Sequence, residues 1–193
     1  LSPLFRDSLR TTLLTGRITG SGRGIIESPE YSLDIDLDNS ILAGHSLRQL
    51  EGSVEYARNR YDYTLTASDP VSTVRSNGFY TRDDAQHYIS TETVFDNLDL
   101  SIYTNYFADR QTSLNGSFTA DVRGSSLEDI WGRIRVEMNP STIGGSTLRA
   151  HQLYADINQP DPRDKTLRFT SSFFDGEISG TLSHTVLKEA VQY

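Results

Sequence analysis

Asp34, Asp36 and Asp38, followed by Asn39, put oxygen ligands at the alternate positions with which an EF-hand calcium loop opens. The rest of such a loop is missing. Its sixth position is Asn39 where glycine is required, and its twelfth is His45 where a bidentate glutamate is required. The aspartates also alternate with Leu33, Ile35 and Leu37, so a strand with one apolar and one solvated acidic face accounts for them. Gly20-Ser21-Gly22-Arg23-Gly24 has the glycine density of a phosphate-cradling loop but not the G-x-G-x-x-G spacing between strand and helix, and it reads as a hairpin loop or bulge. The histidines His45, His87, His151 and His184 never fall in H-x-H or H-x-x-x-H spacing, and no cysteine assists them. Gly44-His45-Ser46-Leu47-Arg48 lacks the second glycine of a nucleophile elbow. Asn115-Gly116-Ser117 is formally a glycosylation acceptor but matches a turn better. Paired carboxylates for glycoside hydrolysis are a spatial matter that 26 acids leave open, yet these acids fall on turns and polar strand phases, where solvation explains them. No catalytic residue, metal ligand or cofactor is expected, and the chain reads as non-enzymatic.

The elements behind these residues are strands. Period-two alternation marks Leu33/Ile35/Leu37, Val54/Tyr56, Tyr63/Leu65/Ala67, Leu98/Leu100/Ile102, Phe118/Ala120/Val122, Ile134/Val136/Met138, Leu153/Ala155/Ile157, Leu167/Phe169 and Ile178 with Leu182. Turn chemistry separates them at residues 38–40, 58–60, 76–78, 82–84, 139–141, 160–162 and 175–176. Strands of roughly five to ten residues joined by short turns favour antiparallel meanders. Helix is scarce. Ser125 to Glu128 has capping-box spacing for a single turn, and short helices are expected at 3–10 and 185–191.

Composition narrows the function classes. The 193 residues carry 26 acids against 18 bases, a net charge of −8, which repels a nucleic-acid backbone. Mean hydropathy is −0.46, while 10 tyrosines and 8 phenylalanines supply the bulk that strands favour. Without cysteine there is no disulfide framework. No apolar run approaches the ~20 residues of a membrane-spanning helix. The chain opens on Leu1, from which we expect a piece of a longer protein whose anchoring segments lie elsewhere.

The sequence also repeats itself. Leu14-Thr15-Gly16 is echoed by Leu114-Asn115-Gly116, Leu33 to Leu37 by Ile134 to Met138, Leu42 to Arg48 by Ile143 to Arg149, Thr64-Leu65 by Thr166-Leu167, and Asn77-Gly78 by Ser179-Gly180. The offset stays within 100 to 103 residues, which implies a tandem β unit. The organisation is therefore a linker or terminal helix at 1–13, a first β unit at 14–113, a second at 114–184, and a short helix or linker at 185–193.

The second unit runs Ala120 to Gly124, then Leu127-Glu128-Asp129-Ile130-Trp131-Gly132-Arg133-Ile134, and later Leu167 to Leu182 with Phe173, Asp175, Ile178 and Gly180. This resembles the TamB-like branch of the AsmA superfamily, the inner-membrane subunit of a translocation and assembly module. Its repeats carry a glycine, an L-x-D-I/L segment, G-x-I/L, and then L-x-L-x-S-x-F-x-D-x-x-I-x-G. The likeness covers most of 114–182 and, more loosely, 14–80. In the first unit Ile25 to Tyr31 replaces the L-x-D-I-x-G segment. The resemblance implies an all-β fold of repeated antiparallel strands forming an elongated curved sheet with a hydrophobic groove, taco-shaped, in the periplasmic part of an inner-membrane-anchored protein of a Gram-negative-type envelope. It further implies phospholipid or hydrophobic polypeptide in the groove, an outer-membrane barrel partner reached through the parent protein, and a role in lipid transport between the membranes or in outer-membrane protein assembly. The groove-lining residues expected on this basis are Leu33, Ile35, Leu37, Leu65, Ile134, Val136, Met138, Leu167, Phe169 and Ile178.

The competing reading is a β-sandwich or adhesin-type module that binds glycan or protein, in which the same residues form an ordinary core. A membrane β-barrel of about eight strands also fits the length, but Lys188 and Glu189 interrupt a closing apolar strand, and Arg133, Arg135 and Glu137 crowd a lipid-facing band.

Overall fold

A computed structural model describes residues 12–24, 29–42, 45–83, 86–100, 111–125, 129–158, 165–172 and 175–180. Among them, thirteen antiparallel strands form one long, open, curved sheet. The strands are β1 (Gly16–Arg23), β2 (Glu30–Leu42), β3 (His45–Ala57), β4 (Arg60–Ser68), β5 (Thr73–Asp83), β6 (Gln86–Leu98) and β7 (Thr112–Gly124). They continue with β8 (Trp131–Met138), β9 (Ser141–Ile143), β10 (Ser146–Leu148), β11 (His151–Ile157), β12 (Lys165–Ser171) and β13 (Asp175–Gly180). The order across the sheet is the order along the chain, with β8 followed by β11, while β9 pairs with β7 and β10 off that path. β6 pairs with β7, so the sheet runs unbroken from one sequence repeat into the other. No helix among the described residues is long and apolar enough to cross a membrane. The expected terminal helices, and most of the capping-box turn, lie outside the described residues.

Several expected turns prove to be strand. At Ser76-Asn77-Gly78 the chain continues straight through β5, because glycine is needed there for closeness: a Cβ on Gly78 would lie 2.2 Å from the Ser90 carbonyl oxygen. Of the alternation read at Leu98/Leu100/Ile102, Leu98 closes β6, Leu100 lies beyond its end, and Ile102 lies outside the described residues. The inward positions of β6 are Ile89, Thr91, Thr93 and Phe95. Gly20 and Gly22 belong to β1 and not to a loop. The hairpin at Arg58-Asn59 is as expected, with φ of 53° and 62° at its two central residues, the left-handed pair that matches the twist of the flanking strands. β2, β3, β6 and β7 each reach 13 residues, longer than the sequence turns suggested.

Residues 38–40 form a kink inside β2 and residues 139–140 the break between β8 and β9, and the two share the same register slip. Gly16 faces Leu37, yet two turns of pleat further on Leu13 faces Ile41, a slip of one residue. Gly116 faces Met138 while Thr112 faces Ile143, the same slip. Such a bulge strands backbone groups, and a buried serine collects them in each copy. Thr15 N–H donates to Ser40 Oγ at 2.9 Å and Asp38 N–H donates to the Thr15 carbonyl at 2.8 Å. Asn115 N–H donates to Ser141 Oγ at 3.0 Å and Asn139 N–H donates to the Asn115 carbonyl at 2.8 Å. Ser40 is 2% exposed and Ser141 3%.

Candidate functional site

Directly opposed residues of an antiparallel pair share a face, so the register alone sorts side chains across the whole sheet. One row runs Leu37, Leu50, Ala67, Val74, Phe95, Gly116, Met138. The next runs Ile18, Ile35, Gly52, Leu65, Ser76, Thr93, Phe118, Val136, Leu153. A third carries Leu33, Val54, Tyr63, Gly78, Thr91, Ala120, Ile134, Ala155 and Phe169. The fourth carries Tyr31, Tyr56, Tyr61, Tyr80, Ile89, Val122, Gly132, Ile157, Leu167 and Ile178. All ten residues expected to line a groove therefore stand on one face of one sheet, spread from β2 to β13.

That face is bare in part. Leu37, Phe95, Leu114 and Ala120 are its buried hydrophobic residues, while Ile18 is 52% exposed, Tyr31 56% and Ile178 45%. A two-sheet sandwich would close over such positions; here the described residues supply a single curved sheet.

Two features of the face escaped the sequence reading. Its fourth row begins with a ribbon of rings, Tyr31, Tyr56, Tyr61 and Tyr80, which His87, two residues from Ile89 on β6, extends; successive centroids are 5.6, 4.5, 6.0 and 5.8 Å apart, the first and last contacts stacked and the middle two tilted. The Tyr80 hydroxyl also lies 2.6 Å from His87 Nδ1. These tyrosines lie far apart in sequence, and only the hairpin register aligns them. The second feature is polar. Tyr63 Oη lies 2.6 Å from Thr91 Oγ1 and 3.3 Å from Ser76 Oγ, which is 2.8 Å from Thr93 Oγ1, so a satisfied hydroxyl network interrupts the aliphatic rows at β4–β6. The face is thus greasy toward both ends and hydroxylated in the middle.

The opposite face is charged. Asp34, Asp36 and Asp38 are exposed there, as expected for a solvated strand face, and no metal-holding cluster occurs among the described residues. Exposed pairs span neighbouring strands or alternate positions, among them Arg23–Glu30 at 2.6 Å, Arg168–Glu177 at 2.9 Å and Arg60–Asp62 at 2.6 Å. The Arg60 hydrogen bond holds the Asp62 carboxyl below its ordinary range. Arg60 lies 3.7 Å from the Phe79 centroid, and Arg123 lies 4.1 Å from that of Tyr88 and 5.3 Å from that of Trp131. Trp131 is half-buried, with no hydrogen-bond partner for its indole N–H among the described residues. A shallow depression of ≈ 410 Å³ opens on this face between Phe79 and Tyr154, with Asp121 and Arg133 on its wall. His151 Nδ1 lies 3.0 Å from the Arg149 carbonyl oxygen, and His184 lies outside the described residues.

No family model, no curated protein and no solved structure matches this chain.

Proposed function

We propose that this chain is a segment of a hydrophobic β-groove that shields the apolar parts of a cargo, phospholipid or hydrophobic polypeptide, as it passes along the sheet. The observation that carries the reading is one sheet face, uncovered among the described residues, on which the Tyr31–Ile178 row runs from β2 to β13 and the Leu37–Met138 row from β2 to β8, passing on either side of the hydroxyl network. Each CH₂ of an acyl chain costs about 0.8 kcal/mol in water, so apolar rows that pass beside the hydroxyl network let a tail move without meeting that cost at every step. The charged opposite face keeps the segment wet on its other side. No bond is made or broken in this role, and the chain needs no catalytic group or cofactor for it.

The resemblance to TamB-like repeats extends the proposal to a periplasmic setting, an inner-membrane anchor and an outer-membrane barrel partner, all supplied by the parent protein. A second reading, an adhesin-type module for glycan or protein, draws on the depression between Phe79 and Tyr154, whose aromatic walls and polar flanks suit a small polar ligand. Native mass spectrometry after exposure to bacterial phospholipid separates the two. The wild type is expected to retain lipid, and the folded Val136→Asp/Phe169→Asp variant to come through empty. A well-folded wild type without lipid, or a variant that retains as much, refutes the groove.

A further inference from the structure

The depression on the charged face is built from two adjacent rows of the sheet. One row runs Phe79, Ser90, Asp121, Arg133, and the next runs Asn77, Glu92, Thr119, Arg135, Tyr154. Short side chains at Ser90 and Thr119 occupy the middle, and longer ones stand around them. The space left is ≈ 410 Å³, within the range of about 300–1,000 Å³ common to small-molecule sites.

The groups that line it fall into two sets. One set is already engaged: the Tyr88 hydroxyl donates to Asp121 Oδ2 at 3.1 Å, Arg135 is held by Glu137, and Arg60 covers the Phe79 ring at 3.7 Å. Arg60, Arg75 and Arg168 elsewhere on this face each hold an acid as well. The other set, the side chains of Asn77, Ser90, Glu92, Thr119 and Arg133, has no hydrogen bond or ion pair among the described residues. Arg133 stands between Asp121 and Asp156 in the register, yet bonds to neither. These free groups are mixed in kind: Glu92 only accepts, Arg133 only donates, and the amide and hydroxyls do both. Glu92 and Asp121 balance Arg133 and Arg135, so the site favours neither an anion nor a cation. Tyr154, 41% exposed with Arg135 5.6 Å from its centroid, adds a ring at one end.

We propose that this depression is a binding site for a neutral saccharide. A sugar hydroxyl donates one bond and accepts others, so the hydroxyls around one or two rings give Glu92 the donors and Arg133 the acceptors that each lacks. Asn77, Ser90 and Thr119 bond the remaining hydroxyls, and the apolar C–H face of a ring rests on Tyr154. The proposal rests on the adhesin-type reading and names its ligand; it is independent of whether the opposite face carries lipid.

The test is amide NMR of the isotope-labelled 193-residue chain, titrated with maltose, cellobiose and diacetylchitobiose, and separately with inorganic phosphate and with glycine. Saturable shifts confined to β5–β8 and β11 are expected with at least one disaccharide, and none with phosphate or glycine. Glu92→Gln and Arg133→Gln remove no bond that holds the sheet, so each should keep the wild-type urea midpoint while binding sugar at least about tenfold more weakly. The folded Val136→Asp/Phe169→Asp chain should bind sugar as the wild type does, which separates this site from the groove. The methyl glycoside of the bound disaccharide identifies the source: retained affinity assigns the site to a sugar within a glycan, and lost affinity to a free reducing sugar. No saturation by any disaccharide at about 50 mM, a preference for phosphate or glycine, or unweakened binding by either single variant overturns the proposal.

Discussion

At the residue scale, two buried serines hold the register slips of this sheet, and the sequence patterns mark them only as members of the turn segments 38–40 and 139–141. Ser40 and Ser141 each accept a bond from the strand opposite, and Ser141 Oγ also donates to the Asn139 carbonyl at 2.8 Å. Alanine at either position leaves a part-buried N–H at the bulge without its side-chain partner. The expected cost is about 1–3 kcal/mol for each. The two brackets share no residue, so Ser40→Ala and Ser141→Ala should add to within about 0.5 kcal/mol. Urea midpoints of the two single variants and the double variant measure both quantities. A loss under about 0.3 kcal/mol at both sites would show that solvent satisfies the bulge and that the serines are incidental. Serine is an unremarkable residue in a polar strand phase, so its role emerges only when the register slip is seen in both copies.

At the element scale, legibility followed the inward side chains. β2 and β8 were readable because Leu33/Ile35/Leu37 and Ile134/Val136/Met138 alternate cleanly against acids and arginines. β5 and β6 were not, since their inward positions include Ser76, Gly78, Thr91 and Thr93, and a strand whose both phases are polar carries no period-two signal. They are strands because each is paired on both sides, a property of the sheet and not of the segment. The turn between β4 and β5 has its own chemistry. Burial works to raise the Asp69 carboxyl, but bonds from the Ser72 hydroxyl and from the Val71 and Ser72 N–H groups outweigh it and hold the carboxyl below the usual range. A depressed carboxyl stabilises the fold above its unfolded value, about 3.9, and that contribution is lost as pH falls through the folded value. Asp69→Asn should therefore be less stable than wild type at pH 7, with the gap closing as the pH drops below about 4. Chemical denaturation at pH 7, 5 and 3 reads it, and a gap that is constant across that range would mean the amide serves the turn as well as the carboxylate does.

At the scale of the whole molecule, the topology makes the sheet nearly one-dimensional. Every strand has its substantial contacts with its sheet neighbours, and no described element packs across the apolar face to tie distant strands together. Stability in such an array is a sum of neighbour terms, so opening begins at the ends and costs more toward the middle. β1, exposed along its whole length, and β13, six residues long and mostly exposed, each have one neighbour among the described residues. β5, β6 and β7 are 11 to 13 residues long, are paired on both sides, and carry Ser76, Thr91 and Thr93 of the hydroxyl network and the buried Phe95. Native-state hydrogen exchange should accordingly rank protection from β5–β7 downward to β1 and β13. Destabilising the centre with Phe95→Ala should cost about 3–5 kcal/mol, since that ring is only 9% exposed. Equal protection along all strands would require a closed core that couples the ends, which a single open sheet does not provide. A gradient, by contrast, suits the proposed groove: under that reading the ends can open to a cargo while the centre keeps the register that aligns every row.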